Sequence, residues 1–255
     1  MTPIDHLGNM IDATLIFVTA VFAVAGFTKG VIGLGLPTIS MALLALVMPP
    51  VHAAAVLLLP SLITNVWQMV AGRALSAVSR RLWPMLIAIC FGTWAGLGLM
   101  ADETERFGLA LLGVALVLYS VAGLAAFRLT LPRTWEPLFS PLVGAITGLI
   151  TAATGVFVIP AVPYLQAIGL EKEELVQALG LSFTVSTVAL AFNVALQGGL
   201  NLSAAIETVA ALALACVGMW IGQRVRHRMS PGTFREWFFA ALLLLGLYLM
   251  AKSML

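Results

Sequence analysis

Gly26-Phe27-Thr28-Lys29-Gly30-Val31-Ile32-Gly33-Leu34-Gly35-Leu36-Pro37 places one cation and four glycines inside a long apolar segment. A charged side chain at bilayer depth costs roughly 2.5–3.5 kcal/mol even on lenient insertion scales, so such residues usually face a protein interior or a water-filled cavity. Each glycine weakens a helix by about 1 kcal/mol relative to alanine. A cation beside broken backbone at membrane depth reads as a binding site.

The surrounding chain sets that depth. Of its 255 residues 61% are hydrophobic and only 9% are charged, against roughly 25% charged in an ordinary soluble domain. Apolar runs repeatedly reach about 20 residues, the length of a transmembrane helix, without the alternating pattern of a membrane barrel. The expectation is an all-α polytopic membrane protein. Its segments run over about 13–27, 31–48, 53–71, 82–100 and 107–127, then 138–151, 154–168, 175–197, 203–222 and 233–251. A net charge of +2 gives no footing for nucleic acid. Cys90 and Cys216 both lie in apolar runs, which supports neither a disulfide framework nor a metal site and makes them expected core residues. The first twelve residues lack the basic region of a cleaved signal peptide, so the first apolar run is expected to remain in place.

The two sets of segments correspond. Cys90-Phe91-Gly92-Thr93-Trp94-Ala95-Gly96 recurs as Cys216-Val217-Gly218-Met219-Trp220-Ile221-Gly222. Gly26 to Pro37 has its counterpart in Gly144 to Pro160, again interrupted by glycine and closing on proline, with threonines in place of Lys29. Short or Gly/Pro-interrupted segments at matching places in duplicated halves mark binding sites in transporters. The halves are expected to span 1–130 and 131–255, each a hairpin (13–48 and 138–168) followed by three full spans.

Charge placement orients them. Arg73, Arg80, Arg81, Arg128, Arg133 and the group Arg224, Arg226, Arg228 and Arg235 all fall on the cytoplasmic side under the positive-inside rule, provided each hairpin returns to the face it entered. Lys172 joins them, Arg106 and Lys252 lie outside, and Lys29 lies in the membrane. Three spans plus a returning hairpin make an odd count, so the halves are expected to be inverted, with both termini outside and the hairpin tips near the midplane.

Thr28, Lys29, Gly30, Gly33 and Gly35 form the first candidate site: a lysine beside freed backbone N–H groups is an anion receptor. The alternative for Lys29 is snorkelling to an interface. Thr151, Thr154 and Gly155 would add hydroxyl and backbone donors from the facing hairpin, or else the threonines bond their own preceding turns. Pro37 and Pro160 are expected to restart helices. Aligning Val51 with Val176 pairs His52 with Gln177, Ser61 with Ser186 and Gln68 with Asn193; Asn65, Gln68 and Asn193 are either ligand contacts or interhelical glue. Gly92, Gly96, Gly218 and Gly222 have the spacing of close helix packing, and Trp94 and Trp220 are expected to fill matching interfaces. Glu207 is expected near the outer surface and solvated, with a proton-coupling role as the alternative, and Glu171, Glu173 and Glu174 to start a helix. No catalytic signature is present, no cofactor or metal is expected, and the chain is not read as an enzyme.

These residues resemble the sulfite exporter TauE/SafE family. The likeness rests on Gly26 to Pro37, on Gly144 to Pro160 and on the duplicated layout, and covers nearly the whole chain. It implies secondary transport of a small anion such as sulfite, a sulfonate or a related organosulfur or carboxylate compound, often outward across a bacterial inner membrane. Gly33-Leu34-Gly35-Leu36 replaces the longer glycine string common in the family and, with Lys29, marks a subgroup. The expected partners are the anion, the lipid bilayer and a coupling proton or ion, with a homodimer left open. The competing class is a membrane-embedded assembly partner that does not translocate, which the short connections disfavour.

Overall fold

In a computed structural model, which describes residues 3–100, 105–125, 130–200, 202–226 and 231–254, the chain is all-helical. Arg128 and Arg228, both expected on the cytoplasmic side, lie outside the described residues. In order come α1 (Pro3–Ile32), α2 (Leu36–Leu44), α3 (Pro50–Val70), α4 (Leu75–Ala95) and α5 (Glu105–Ala125). A 3-10 turn, Arg133–Trp135, leads into α6 (Glu136–Thr154), followed by α7 (Ala161–Ala167), α8 (Lys172–Leu196), α9 (Leu202–Val225) and α10 (Pro231–Ser253). Among the described residues eight of these are long and apolar enough to cross a membrane; α2 and α7 are not.

The long helices pair α1 with α9, α4 with α6, α3 with α8 and α5 with α10. Each partnership crosses between the first five helices and the last five. The glycines explain the two closest. A Cβ on Gly26 would lie 2.2 Å from the Ala215 carbonyl oxygen, and one on Gly30 2.3 Å from that of Met219. From the other side, Gly218 meets Ala23 and Gly222 meets Phe27, each at 2.2 Å from a carbonyl oxygen. The α4–α6 contact repeats this with Gly92 on Ala145, Gly144 on Met85 and Gly148 on Ile89, at 2.2, 2.3 and 2.3 Å. In both contacts residue numbers rise together, so the paired helices run parallel. The registers of α3 with α8 (Asn65 at Thr187, Met69 at Gln177) and α5 with α10 (Gly113 at Met250, Gly123 at Phe239) run the opposite way.

This corrects the expected break. Gly26 and Gly30 sit inside α1, and Gly144 and Gly148 inside α6, because their missing side chains admit a neighbouring backbone. The chain turns later, at Gly33 (φ 79°) and Gly35 (φ 105°), and at Gly155 (φ 68°); these positive angles are what glycine tolerates. Pro37 then opens α2, and Pro160 caps α7, as helix restarts.

Arg81 closes the second hairpin. Its guanidinium donates to both Glu136 carboxylate oxygens, at 2.9 and 2.6 Å, and to the Ile168 carbonyl at 2.7 Å. The start of α6 and the end of α7 are thereby held at one place. At the end of the first hairpin the Leu46 carbonyl accepts from Lys252 Nζ at 3.1 Å. Glu171 caps α8, its N–H donating to the Glu174 carboxylate at 3.1 Å in a capping box.

Two further expectations fail. Trp94 and Trp220 are 65% and 53% exposed, so neither fills an interface between helices of this chain. In Cys-x-Gly-x-Trp-x-Gly the glycines pack against the neighbouring helix and the bulky residue between them points away. Cys90, one turn before Trp94, is exposed for the same reason, and Cys216 is only partly buried.

Candidate functional site

Lys29 lies in the last turn of α1, four residues before Gly33, and only 4% of its surface is exposed. Its Nζ donates to Thr64 Oγ1 at 3.0 Å and to Asn65 Oδ1, both on α3. It does not snorkel. Thr64 Oγ1 is free to accept because its own proton goes back to the Pro60 carbonyl at 2.7 Å, the usual habit of a hydroxyl inside a membrane helix. Asn65 Nδ2 donates onward to Thr187 Oγ1 on α8 at 3.3 Å, and Thr187 donates to the Phe183 carbonyl at 2.7 Å. One buried chain of bonds thus links α1, α3 and α8.

Every acceptor around Lys29 is neutral. The ion pairs among the described residues are His52 with Glu207 and Arg81 with Glu136, and neither involves Lys29. An ammonium has three donors, and two are used. A buried cation without a counter-charge, and with one donor unspent, is an arrangement that an anion would complete.

The other expected site residues separate into groups. Thr28 lies beside Lys29, and its hydroxyl donates to the Val24 carbonyl at 2.9 Å. Thr151 and Thr154 likewise donate to Thr147 and Ile150 one turn back, each at 2.7 Å, and Thr154 Oγ1 accepts from the Val156 N–H at 3.2 Å. Their donor capacity is spent within α6, so they can offer a ligand only lone pairs. Gly30 is occupied by its contact with α9. Gly33 has open space where a side chain would stand, whereas Gly35 faces the Thr28 methyl and the Phe238 ring at 3.1 and 3.2 Å. Gly155 meets Met41 of α2, whose Cε lies 2.8 Å from the position of a Cβ, so the turn of the second hairpin does touch the short helix of the first.

Gln68 and Asn193, paired by the repeat, both act across helices. Gln68 Nε2 donates to the Val176 carbonyl at 3.2 Å, and its Oε1 is buried without a partner. Asn193 Nδ2 donates to the Thr93 carbonyl at 3.2 Å, and its Oδ1 accepts from Gln197. Ser61, Ser182 and Ser186 are buried with unpartnered hydroxyls. Thr64 and Thr187 belong to the site and are not among the expected binding residues. Thr64 stands beside Asn65 in a polar group spanning 61–68, which is a usable signal; Thr187 aligns with Leu62 and carries none.

Glu207 is a correction. It lies 3.0 Å from His52 Nε2, with the two side chains 20% and 24% exposed, so it joins α9 to α3 instead of standing solvated.

Among known proteins, the family model for the sulfite exporter TauE/SafE family matches residues 18–249. No curated protein and no solved structure matches the chain. The matched range takes in the turns of both hairpins and every residue of the Lys29 cluster, and with it the chain belongs to the sulfite exporter TauE/SafE family, membrane transporters of sulfite and organosulfur anions.

Proposed function

We propose that this protein is a secondary transporter, working as an exporter, of a small anion such as sulfite, a sulfonate or a related organosulfur or carboxylate compound. The anion binds at Lys29 between two inverted repeats, residues 1–130 and 131–255, whose hairpins enter from opposite faces. The observation that carries this reading is the buried Lys29 ammonium, held by two neutral oxygens and paired with no carboxylate among the described residues. An empty site tolerates the cation through Thr64 and Asn65, and a bound anion supplies the missing charge.

The inverted arrangement is supported by packing. Helices in equivalent places, α3 with α8 and α5 with α10, run antiparallel, and each hairpin's long helix lies along the fourth helix of the other half. Rocking one half against the other about the α3–α8 contact would expose Lys29 to each side in turn. By the positive-inside rule, the basic start of α4 and the basic end of α9 support a cytoplasmic position for that face, with both termini outside a bacterial inner membrane. Gly33, with open space at its missing side chain, and Gly35 bring backbone close to the anion. Asn65 orients Lys29, while Gln68 and Asn193 hold the helices between which the site opens. Export of an anion down its own gradient, or with a proton or ion, needs no nucleotide.

Counterflow into proteoliposomes tests this with sulfite, thiosulfate, sulfoacetate and simple carboxylates. A hydrogen bond to a charged group is worth about 1.5–3 kcal/mol, so Lys29→Gln is expected to weaken anion binding by roughly 10- to 100-fold. Lys29→Arg should retain part of the activity. Full transport by Lys29→Gln would end the proposal, and anion binding without any counterflow would favour the non-translocating partner.

A further inference from the structure

Among the buried side chains of the described residues, Lys29 is the one that carries a charge. The helices around it add no second charge at its level. α2 has no charged residue, and α3 has the titratable His52 near its start. On α8 the charged residues Lys172, Glu173 and Glu174 stand in the first turn, about 20 Å along the helix from Thr187. Glu207 of α9 is held by His52, and Lys252, at the far end of α10, is bonded to Leu46. Arg224 of α9 lies over the Trp220 ring at 3.7 Å, and Arg224, Arg235 and Glu236 are all exposed. Asp5, His6 and Asp12 stand in the first half of α1, away from its last turn. The site therefore offers a ligand one positive charge.

Its polar neighbours are acceptors. Thr28, Thr64 and Thr187 spend their hydroxyl protons on the Val24, Pro60 and Phe183 carbonyls of their own helices, at 2.9, 2.7 and 2.7 Å. Asn65 turns its carbonyl oxygen to Lys29 and its amide nitrogen to Thr187, at 3.3 Å. A ligand thus meets an ammonium N–H among several lone pairs, which suit one negative charge and repel a second. The cost of taking a charge out of water rises with the square of that charge. A monoanion beside Lys29 makes a neutral pair, whereas a dianion keeps a net negative charge with nothing to pair it.

We propose that the Lys29 site selects its ligand by charge, taking monoanions such as alkanesulfonates, hydrogen sulfite and monocarboxylates and rejecting dianions such as thiosulfate and sulfoacetate. Charge selection of this kind presupposes Lys29 as the anion site and narrows the substrates it takes. Asn65 sets the count. Asn65→Asp would keep the shape of the side chain and neutralise Lys29 from within, so that no charge remained for a ligand.

Competition for counterflow of isotope-labelled ethanesulfonate, in proteoliposomes of the full-length protein, reads this directly. Sulfoacetate is compared with its methyl ester, which has one charge fewer and more bulk, so that exclusion by size would favour the acid. The ester is expected to compete about 10- to 100-fold better, the penalty of one unpaired charge at membrane depth. Sulfite should lose potency as the pH rises through neutrality and hydrogen sulfite gives up its proton. Ethanesulfonate, a monoanion throughout, controls for titration of the protein itself. Asn65→Asp should abolish ethanesulfonate counterflow while its Tm is no lower than that of the wild type. Equal competition by sulfoacetate and its ester, in a flux that Lys29→Gln still weakens, overturns charge selection and leaves Lys29 as the anion site. Wild-type counterflow by Asn65→Asp overturns it as well. Ethanesulfonate flux that is absent, or unaffected by Lys29→Gln, overturns charge selection and the Lys29 site together.

Discussion

Lys29 and Thr147 occupy matching places in the two proposed halves. Superposing Gly26 and Gly30 on Gly144 and Gly148 puts one on the other, and each sits on a long helix packed against its partner through the same glycine contacts. Their surroundings differ completely. Lys29 faces Thr64 and Asn65; the residues that the repeat sets in those places are Ala189 and Leu190. Thr147 is fully buried with its hydroxyl unpartnered. The glycine packing recurs and the chemistry does not. One half holds a cation together with its acceptors, while the other has a small hydroxyl on an apolar background.

The comparison breaks most visibly by moving the cation. Thr147→Lys puts an ammonium where the repeat offers only Ala189 and Leu190, and is expected to cost roughly 2.5–3.5 kcal/mol. The yield of monodisperse protein and its Tm should both fall. Lys29→Thr should leave the fold nearly intact, since Thr64 and Asn65 remain neutral groups. Equal tolerance of the two exchanges would show that the second half also holds acceptors for a charge.

Next in size is the glycine packing that the halves share. Gly92→Ala and Gly218→Ala both drive a Cβ to 2.2 Å from a carbonyl oxygen, and should destabilise equally by about 1–3 kcal/mol. Gly96 and Gly222 should not match. Gly222 meets the Phe27 carbonyl oxygen at 2.2 Å, whereas Gly96 meets the Ala152 methyl at 2.6 Å. Melting curves should place Gly222→Ala below Gly96→Ala.

The smallest effect concerns opposite ends of the molecule. At the spacing of the Cys-x-Gly-x-Trp-x-Gly repeat, Glu207 stands where the first half has Arg81. Arg81 makes three bonds and closes a hairpin; Glu207 makes one to His52. Arg81→Gln is expected to cost about 1.5–3 kcal/mol, since it leaves a mostly buried carboxylate unpaired. His52→Gln should cost no more than about 1 kcal/mol, as for most partly exposed pairs. A larger loss at His52, read by thermal unfolding, would show that both ends are pinned to the same degree.

Much of the fold is legible without coordinates. Ten segments and eight spanning units follow from hydropathy, glycine and proline, and α2 and α7 are as short as the Pro37 and Pro160 restarts imply. The misreadings have a common cause. A glycine in an apolar run has two uses, to bend the chain or to admit a neighbour, and composition does not tell them apart. Gly33, Gly35 and Gly155 bend the chain, while Gly26, Gly30, Gly144 and Gly148 admit a neighbour. Trp94 and Trp220 escape a reading from sequence because apolar residues suit a lipid-facing surface as well as an interface.

By itself the sequence determined that this chain is helical, lives in a bilayer, repeats a Cys-x-Gly-x-Trp-x-Gly motif, and carries one cation at a depth where a cation needs a reason. Those properties depend on local hydropathy, on backbone preferences of glycine and proline, and on residue order. Only the tertiary structure decided what Lys29 touches, which glycines are contacts, and that Glu207 is paired. Thr64 and Asn65 are 35 and 36 residues away, and His52 and Glu207 are 155 apart. Such partnerships depend on which helix faces meet, and that is settled by packing complementarity between the first five helices and the last five.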